Sequence, residues 1–174
     1  TVQKTLGPII DGVGHKLPLS AMPADGTFPT STARVEKRNI AVNIPVWKQD
    51  LCIQCGICSF VCPHAAIRMK FYEESDLKGA PETFKSVDAK GKELEGKKYT
   101  LQVAPEDCTG CGACVHNCPA KSKTEEGVKA INMTPQAPLR EKEAANFEFF
   151  IGLPDPDESL FNRATVMGSQ RMPP

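Results

Sequence analysis

Aromatic residues are scarce: Phe, Tyr and Trp make up 6% of the 174 residues, with a single tryptophan. A large aromatic-rich core is therefore not available. Charge imbalance is missing too, because 21 Lys and Arg meet 21 Asp and Glu, and such a chain lacks the basic footprint of a nucleic-acid binder. It contains no charged-then-apolar leader and no apolar run approaching the roughly 18 residues of a membrane span. These absences predict a soluble chain without a membrane partner. Nothing resembles a nucleophile elbow or a phosphate-cradling glycine loop, and Asp25-Gly26 by itself is a turn. The first residue is Thr1 rather than methionine, which reads as a processed piece or a fragment.

What the chain does contain is eight cysteines in two runs. Cys52-Ile-Gln-Cys55-Gly-Ile-Cys58-Ser-Phe-Val-Cys62-Pro63 and Cys108-Thr-Gly-Cys111-Gly-Ala-Cys114-Val-His-Asn-Cys118-Pro119 both read C-x2-C-x2-C-x3-C-P. This is the ligand run of bacterial ferredoxins, in which three thiolates bind one cubane and the fourth reaches across to a second. The reading assigns Cys52, Cys55, Cys58 and Cys118 to one [4Fe–4S] cluster, and Cys108, Cys111, Cys114 and Cys62 to its partner. Two residues between thiols make a tight turn that offers three sulfurs to one cube. Three residues before the fourth start a helical turn that points it elsewhere, and proline then fixes the backbone. Gly56 and Gly112 allow close backbone approach, and Gly110 adds similar freedom to the second run alone.

Other readings of the same residues stay open. A zinc ribbon shows C-x2-C pairs but needs neither a third cysteine two residues on nor the C-x3-C-P step. Disulfides call for an oxidising compartment and long-range staples, whereas these thiols repeat locally. His64 and His116 could tune a cluster or be ordinary surface residues. Trp47, five positions before Cys52, could shield a cluster from water or simply pack in the core.

Along the chain, residues 1–45 are rich in turn signals such as Gly7-Pro8, Asp11-Gly12, Leu17-Pro18, Met22-Pro23 and Phe28-Pro29. They read as an irregular or short-strand module that packs on a partner, with Thr30 to Ala33 capping a short turn. Residues 40–46 predict a strand into the first cysteine run, and a helical turn at Ala65-Ala66 leads into a second strand. Tyr99 to Ala104 and Val128 to Met133 mirror them around the second run. Lys121 to Glu126 is a solvated insertion. Glu73 to Lys98, dense in charge and glycine, predicts a surface loop, with a partner-docking lid as the other reading. Leu139 to Ile151 predicts a helix opened by Pro138, and residues 153–174 a proline-broken tail without a core of its own. The implied fold is α+β, a bacterial-type dicluster ferredoxin with pseudo-twofold βαββαβ order and irregular extensions. Its divisions are 1–45, 46–135 and 136–174.

The flanks resemble those of the pyruvate:ferredoxin (flavodoxin) oxidoreductases, the long single-chain type. The matching stretches include Lys16 to Ala21, Glu36-Lys-Arg-Asn-Ile-Ala41, Ile44-Pro-Val-Trp47, Val61 to Arg68, Pro105 to Gly112, Asn146-Phe-Glu-Phe-Phe150 and Gly168-Ser-Gln170. The resemblance implies a Glu-Lys-Arg linker domain followed by a dicluster domain, inside an enzyme that converts pyruvate and coenzyme A to acetyl-CoA, carbon dioxide and two electrons. It further implies thiamine diphosphate and a third cluster in the remainder of that enzyme, ferredoxin or flavodoxin as acceptor, and a homodimer, while reduced thiolates and the lack of a leader favour the cytoplasm. No residue of this chain is expected to be catalytic. An independent dicluster ferredoxin, or an iron–sulfur subunit of another oxidoreductase, is the alternative, and a zinc-stabilised interaction module a third.

Overall fold

The computed structural model describes residues 2–28 and 30–171. Thr1, Pro29 of the expected Phe28-Pro29 turn, and residues 172–174 of the expected tail lie outside the described residues. The chain divides into two compact units, Thr1–Arg38 and Asn39–Pro174.

In the first unit the turn chemistry becomes short helical pieces, and no strand occurs among the described residues. A π-helical turn (Val2–Leu6) leads into α1 (Gly7–Ile10), followed by 3-10 turns at Gly14–Lys16 and Leu19–Ala21 and by α2 (Ala33–Glu36). Pro8 is tolerated because it falls in the first turn of α1, where its missing N–H would have had no partner. The Thr32 hydroxyl donates to Glu36 Oε1 at 2.8 Å. Lys37 then takes a left-handed conformation, φ 40°, that stops α2. The Glu36-Lys37-Arg38 triplet therefore sits on a helix end.

The second unit contains β1 (Asn43–Trp47), α3 (Ile57–Phe60), β2 (Ile67–Tyr72), β3 (Val87–Asp88), β4 (Lys98–Val103), α4 (Ala113–Asn117), β5 (Ile131–Pro135), α5 (Arg140–Gly152) and α6 (Val166–Arg171). β1 pairs antiparallel with β5, and β4 lies between β2 and β3, antiparallel to both. Period-two alternation sets the faces. Ile67, Met69 and Phe71 meet Val103, Leu101 and Tyr99 directly across the β2–β4 ladder, and all six are buried. Such apolar cross-strand pairs stabilise a sheet. Thr100 and Gln102 point the other way yet are also buried, since α5 packs along β4. There Phe150 joins Tyr72 and Leu153 in a second small core.

Several expected boundaries move, each for a local reason. β1 begins at Asn43 rather than residue 40, because Asn43 is where pairing with Pro135 starts. β5 begins at Ile131 rather than Val128, because the Asn132 side chain accepts from the Lys129 amide and folds 129–132 into a turn. No helical turn forms at Ala65-Ala66; Ala65 is a left-handed kink, φ 46°.

The segment 73–98 departs most from a solvated loop. Leu94 is fully buried in the main core, and β3 extends the sheet. Thr100 Oγ1 donates to Lys85 O at 2.7 Å, Lys85 Nζ donates to Trp47 O at 2.8 Å, and Thr83 Oγ1 donates to the buried Asn146 Oδ1 at 2.9 Å. A few apolar residues and backbone groups thus bind a segment whose composition is largely charged. The tail is likewise packed: Phe161 is buried in the main core, and α6 closes on α3. Among the described residues no helix is long and apolar enough to cross a membrane. Leu94→Ala is expected to destabilise the anaerobically purified protein by about 2–5 kcal/mol, as for other buried leucines. Denaturant unfolding checks this; a loss under about 0.5 kcal/mol, typical of surface sites, would return the segment to a surface loop.

Candidate metal centres

The two cysteine runs fold alike. After Cys55 and Cys111 the chain turns through Gly56 (φ 80°) and Gly112 (φ 74°), each the N-terminal cap of a short helix, α3 or α4. Cys58 and Cys114 lie on those helices, and Cys62 and Cys118 follow them. Because α3 and α4 pack against each other, the cysteine after each helix reaches the other run's side. One cavity is lined by Cys52, Cys55, Cys58 and Cys118. A second is lined by Cys62, Cys108, Cys111 and Cys114. Including their mouths the two are alike in volume, about 350 and 370 Å³. All eight predicted ligand residues are brought to these two places, four to each.

The walls differ. Trp47, Tyr99 and Leu101 line the first cavity, whereas Pro45, Ala66, Val103 and Met133 line the second, with exposed His64 at its edge. His116 is exposed and lines neither; its carbonyl, with that of Val115, accepts from Lys129 Nζ.

Burial pushes the Cys58 thiol far up, and neighbouring thiols add to the effect. The same causes raise Cys114 to about 11, against an opposing backbone N–H of Val115. Burial also raises Cys55 and Cys108, opposed by the N–H groups of Ile57 and Gly110. These four thiols stay protonated at neutral pH unless a cationic group stabilises the thiolates. Among the described residues no three His, Cys, Asp or Glu side chains converge as a single metal ion requires. Four thiols line each cavity, and their C-x2-C-x2-C-x3-C-P spacing is that of iron–sulfur ligation. Acceptor sulfurs there already meet donors, since the Gln54 and Gly110 amides donate to Cys52 Sγ (3.3 Å) and Cys108 Sγ (3.4 Å); Trp47, which lines the first cavity, keeps a buried Nε1–H with no partner among the described residues. The residues therefore fit a pair of iron–sulfur clusters.

Gln54 is a residue that sequence reasoning misses, since only Gly110 suggests conformational freedom. Both occupy the third position of their runs and both are left-handed, at φ 58° and 71°. Gly110 is favoured by its positive φ and by a tight approach, since a Cβ there would lie 3.1 Å from Asn43 O. Gln54 instead has a buried slot: its Nε2 donates to Asp88 O at 2.8 Å, and its Oε1 accepts from Lys90 N at 2.7 Å. Those bonds offset the strain of a non-glycine residue at positive φ. The only cue in the sequence is a polar residue at the place where the other run has glycine.

Comparison with known proteins agrees with this geometry. Residues 51–122 match a family model described as a 4Fe-4S dicluster domain, and residues 1–41 match the EKR model, described as a domain of unknown function. The second unit is thus built around a ferredoxin-like dicluster domain of mixed helix and strand. The pyruvate-flavodoxin oxidoreductase of Nostoc sp. is 58% identical over 156 residues, 90% of this chain and 13% of that protein. The enzyme of the same name from Trichormus variabilis is 54% identical over 167 residues, 96% of this chain and 14% of that one. The pyruvate:ferredoxin oxidoreductase of Moorella thermoacetica is 51% identical over 169 residues, 97% of this chain and 14% of its own length. The chain is thus similar, over most of its own length, to one segment of pyruvate:ferredoxin and pyruvate-flavodoxin oxidoreductases, and it spans 13–14% of the length of these relatives.

The two cap glycines are expected to respond unequally to alanine. A Cβ at Gly112 meets nothing within 4 Å, so Gly112→Ala should cost only the left-handed penalty of about 1–2 kcal/mol. At Gly56 a Cβ would lie 2.6 Å from Gln170 O and 2.7 Å from Met69 Cε, which adds an overpacking cost of about 1–3 kcal/mol. Unfolding of the anaerobic protein checks the order, and equal losses would contradict it.

Proposed function

We propose that this chain is the electron-relay segment of a thiamine diphosphate-dependent pyruvate:ferredoxin (flavodoxin) oxidoreductase, an enzyme that converts pyruvate and coenzyme A to acetyl-CoA, carbon dioxide and two electrons. The observation that carries the reading is the sorting of eight cysteines into two four-sulfur cavities within a chain more than half identical to oxidoreductases named for pyruvate. Cys52, Cys55, Cys58 and Cys118 hold one [4Fe–4S] cluster, and Cys62, Cys108, Cys111 and Cys114 the other. When bound, such clusters carry electrons singly, at potentials set by charge, sulfur hydrogen bonds and exposure.

The chain's own residues supply the surroundings. Trp47, Tyr99 and Leu101 keep water from the first site. The Gln54 and Gly110 amides donate to Cys52 Sγ and Cys108 Sγ. Tyr99 remains a neutral phenol, since burial holds its pKa well above the usual range. The two halves, β1–α3–β2 and β4–α4–β5, form a pseudo-twofold unit. Residues 1–45 serve as the Glu-Lys-Arg linker, 46–135 as the dicluster domain, and 136–174 as a connecting helix and extension. The remainder of the enzyme supplies thiamine diphosphate, a third cluster and the homodimer contact, and electrons leave to ferredoxin or flavodoxin in the cytoplasm. An independent ferredoxin is the weaker reading, because the relatives' identity runs through both flanks as well as the cysteine runs.

Cys58→Ala in the full protein carrying this chain should lower iron and acid-labile sulfide by about four each per chain. One reduced-cluster signal in electron paramagnetic resonance should vanish while that of the Cys62, Cys108, Cys111 and Cys114 site persists. Equal loss of both signals would overturn the interleaved assignment. Zinc without sulfide in the unsubstituted protein would overturn the electron-transfer reading.

A further inference from the structure

The ligand runs are alike in sequence, but the loop between Cys52 and Cys55 carries a clamp that starts far along the chain. Arg171, the last residue of α6, is a cation only 5% exposed. Its Nε donates to Gln54 O at 3.1 Å, and Gln54 N in turn donates to Cys52 Sγ at 3.3 Å. Its guanidinium lies 5.7 Å from the centre of the Phe71 ring. Glu93 Oε1 is 3.4 Å from Nη1, and that carboxylate is half exposed, so it offsets the buried charge only in part. The preceding residue closes the same corner, since Gln170 O covers Gly56 so closely that a Cβ there would lie 2.6 Å away. In the second run the position matching Gln54 is Gly110, which is covered by the uncharged backbone of Asn43 and by Ala41.

We propose that Arg171 is a positioning residue that locks the Cys52–Cys55 loop and holds a positive charge beside the Cys52, Cys55, Cys58 and Cys118 centre, so that this centre is more readily reduced than its partner of identical ligand spacing. The inference rests on the electron-relay reading above. Reduction adds a negative charge to the centre, and a nearby cation stabilises that product more than the oxidised form. At a separation on the order of 10 Å and an effective dielectric of about 20, one unit charge changes a one-electron equilibrium about tenfold. Phe71, Phe161 and Tyr99, all buried, keep water from screening the interaction.

The test uses the full protein, isolated anaerobically with its clusters, in a redox titration followed by electron paramagnetic resonance. The first centre is identified as the signal that Cys58→Ala removes. Arg171→Met should make that centre about tenfold harder to reduce, a fall of ~59 mV for one electron, and leave the other in place. Arg171→Lys, which keeps the charge but not the guanidinium fork, should recover most of the shift. Glu93→Gln, which leaves Arg171 less compensated, should move the same centre in the opposite direction. Equal shifts in both centres, no shift in either, or a lysine variant that behaves like the methionine one would overturn the proposal. If Arg171→Met fails to assemble the first centre, Glu93→Gln decides alone, and an unmoved or lowered potential overturns it. Absence of labile sulfide from the unsubstituted protein would instead overturn the relay reading, and this inference with it.

Discussion

Four thiols around one small apolar cavity form an arrangement that a polypeptide does not favour by itself: burial raises the pKa of Cys55 and Cys58 in one cavity and of Cys108 and Cys114 in the other, and four thiolates hold together only around a cationic group. The cysteine unit is organised around this constraint twice over. Short helices begin at left-handed glycines so that backbone amides face sulfur. The β2–β4 ladder supplies an apolar floor. The helices touch so that each run's last cysteine crosses to the other side. A small chain with few aromatic residues thereby obtains two inorganic cores, and most of its aromatic side chains that are fully buried lie near the first of them or under α5.

Symmetry in ligand spacing does not carry over to the surroundings. Where the second run uses Gly110 to let a neighbouring backbone approach, the first uses Gln54 and secures its side chain to Asp88 and Lys90. The charged segment 73–98 and the tail both fold back on that first half. Their work is done by Leu94, Lys85, Phe161 and Arg171, residues that composition alone places in a solvated loop and a coreless extension. Segments poor in apolar residues pack in this way when the few they have, together with satisfied backbone groups, fall at the right points.

Much of the site was legible because its determinants are local. The C-x2-C-x2-C-x3-C-P spacing dictates turns and helix starts within twelve residues of chain, and alternation in Ile67 to Tyr72 and Lys98 to Val103 shows which side chains face inward. Helix α5 was foreseeable from Pro138 and the residues after it, to within one position at either end. Strand ends were less legible, since Asn43 and Ile131 begin their strands only where a partner strand is present.

Sequence by itself carried the eight cysteines, their repeated C-x2-C-x2-C-x3-C-P spacing and the resemblance to pyruvate:ferredoxin (flavodoxin) oxidoreductases, because ligand chemistry and spacing are properties of short stretches. Tertiary structure decided how unlike the two centres are. A buried guanidinium 117 residues along the chain from the carbonyl it contacts leaves no periodic or compositional trace in the sequence. Its position follows from packing among β2, β4, α3 and α6, where burial turns an ordinary arginine into a fixed charge beside one sulfur cavity.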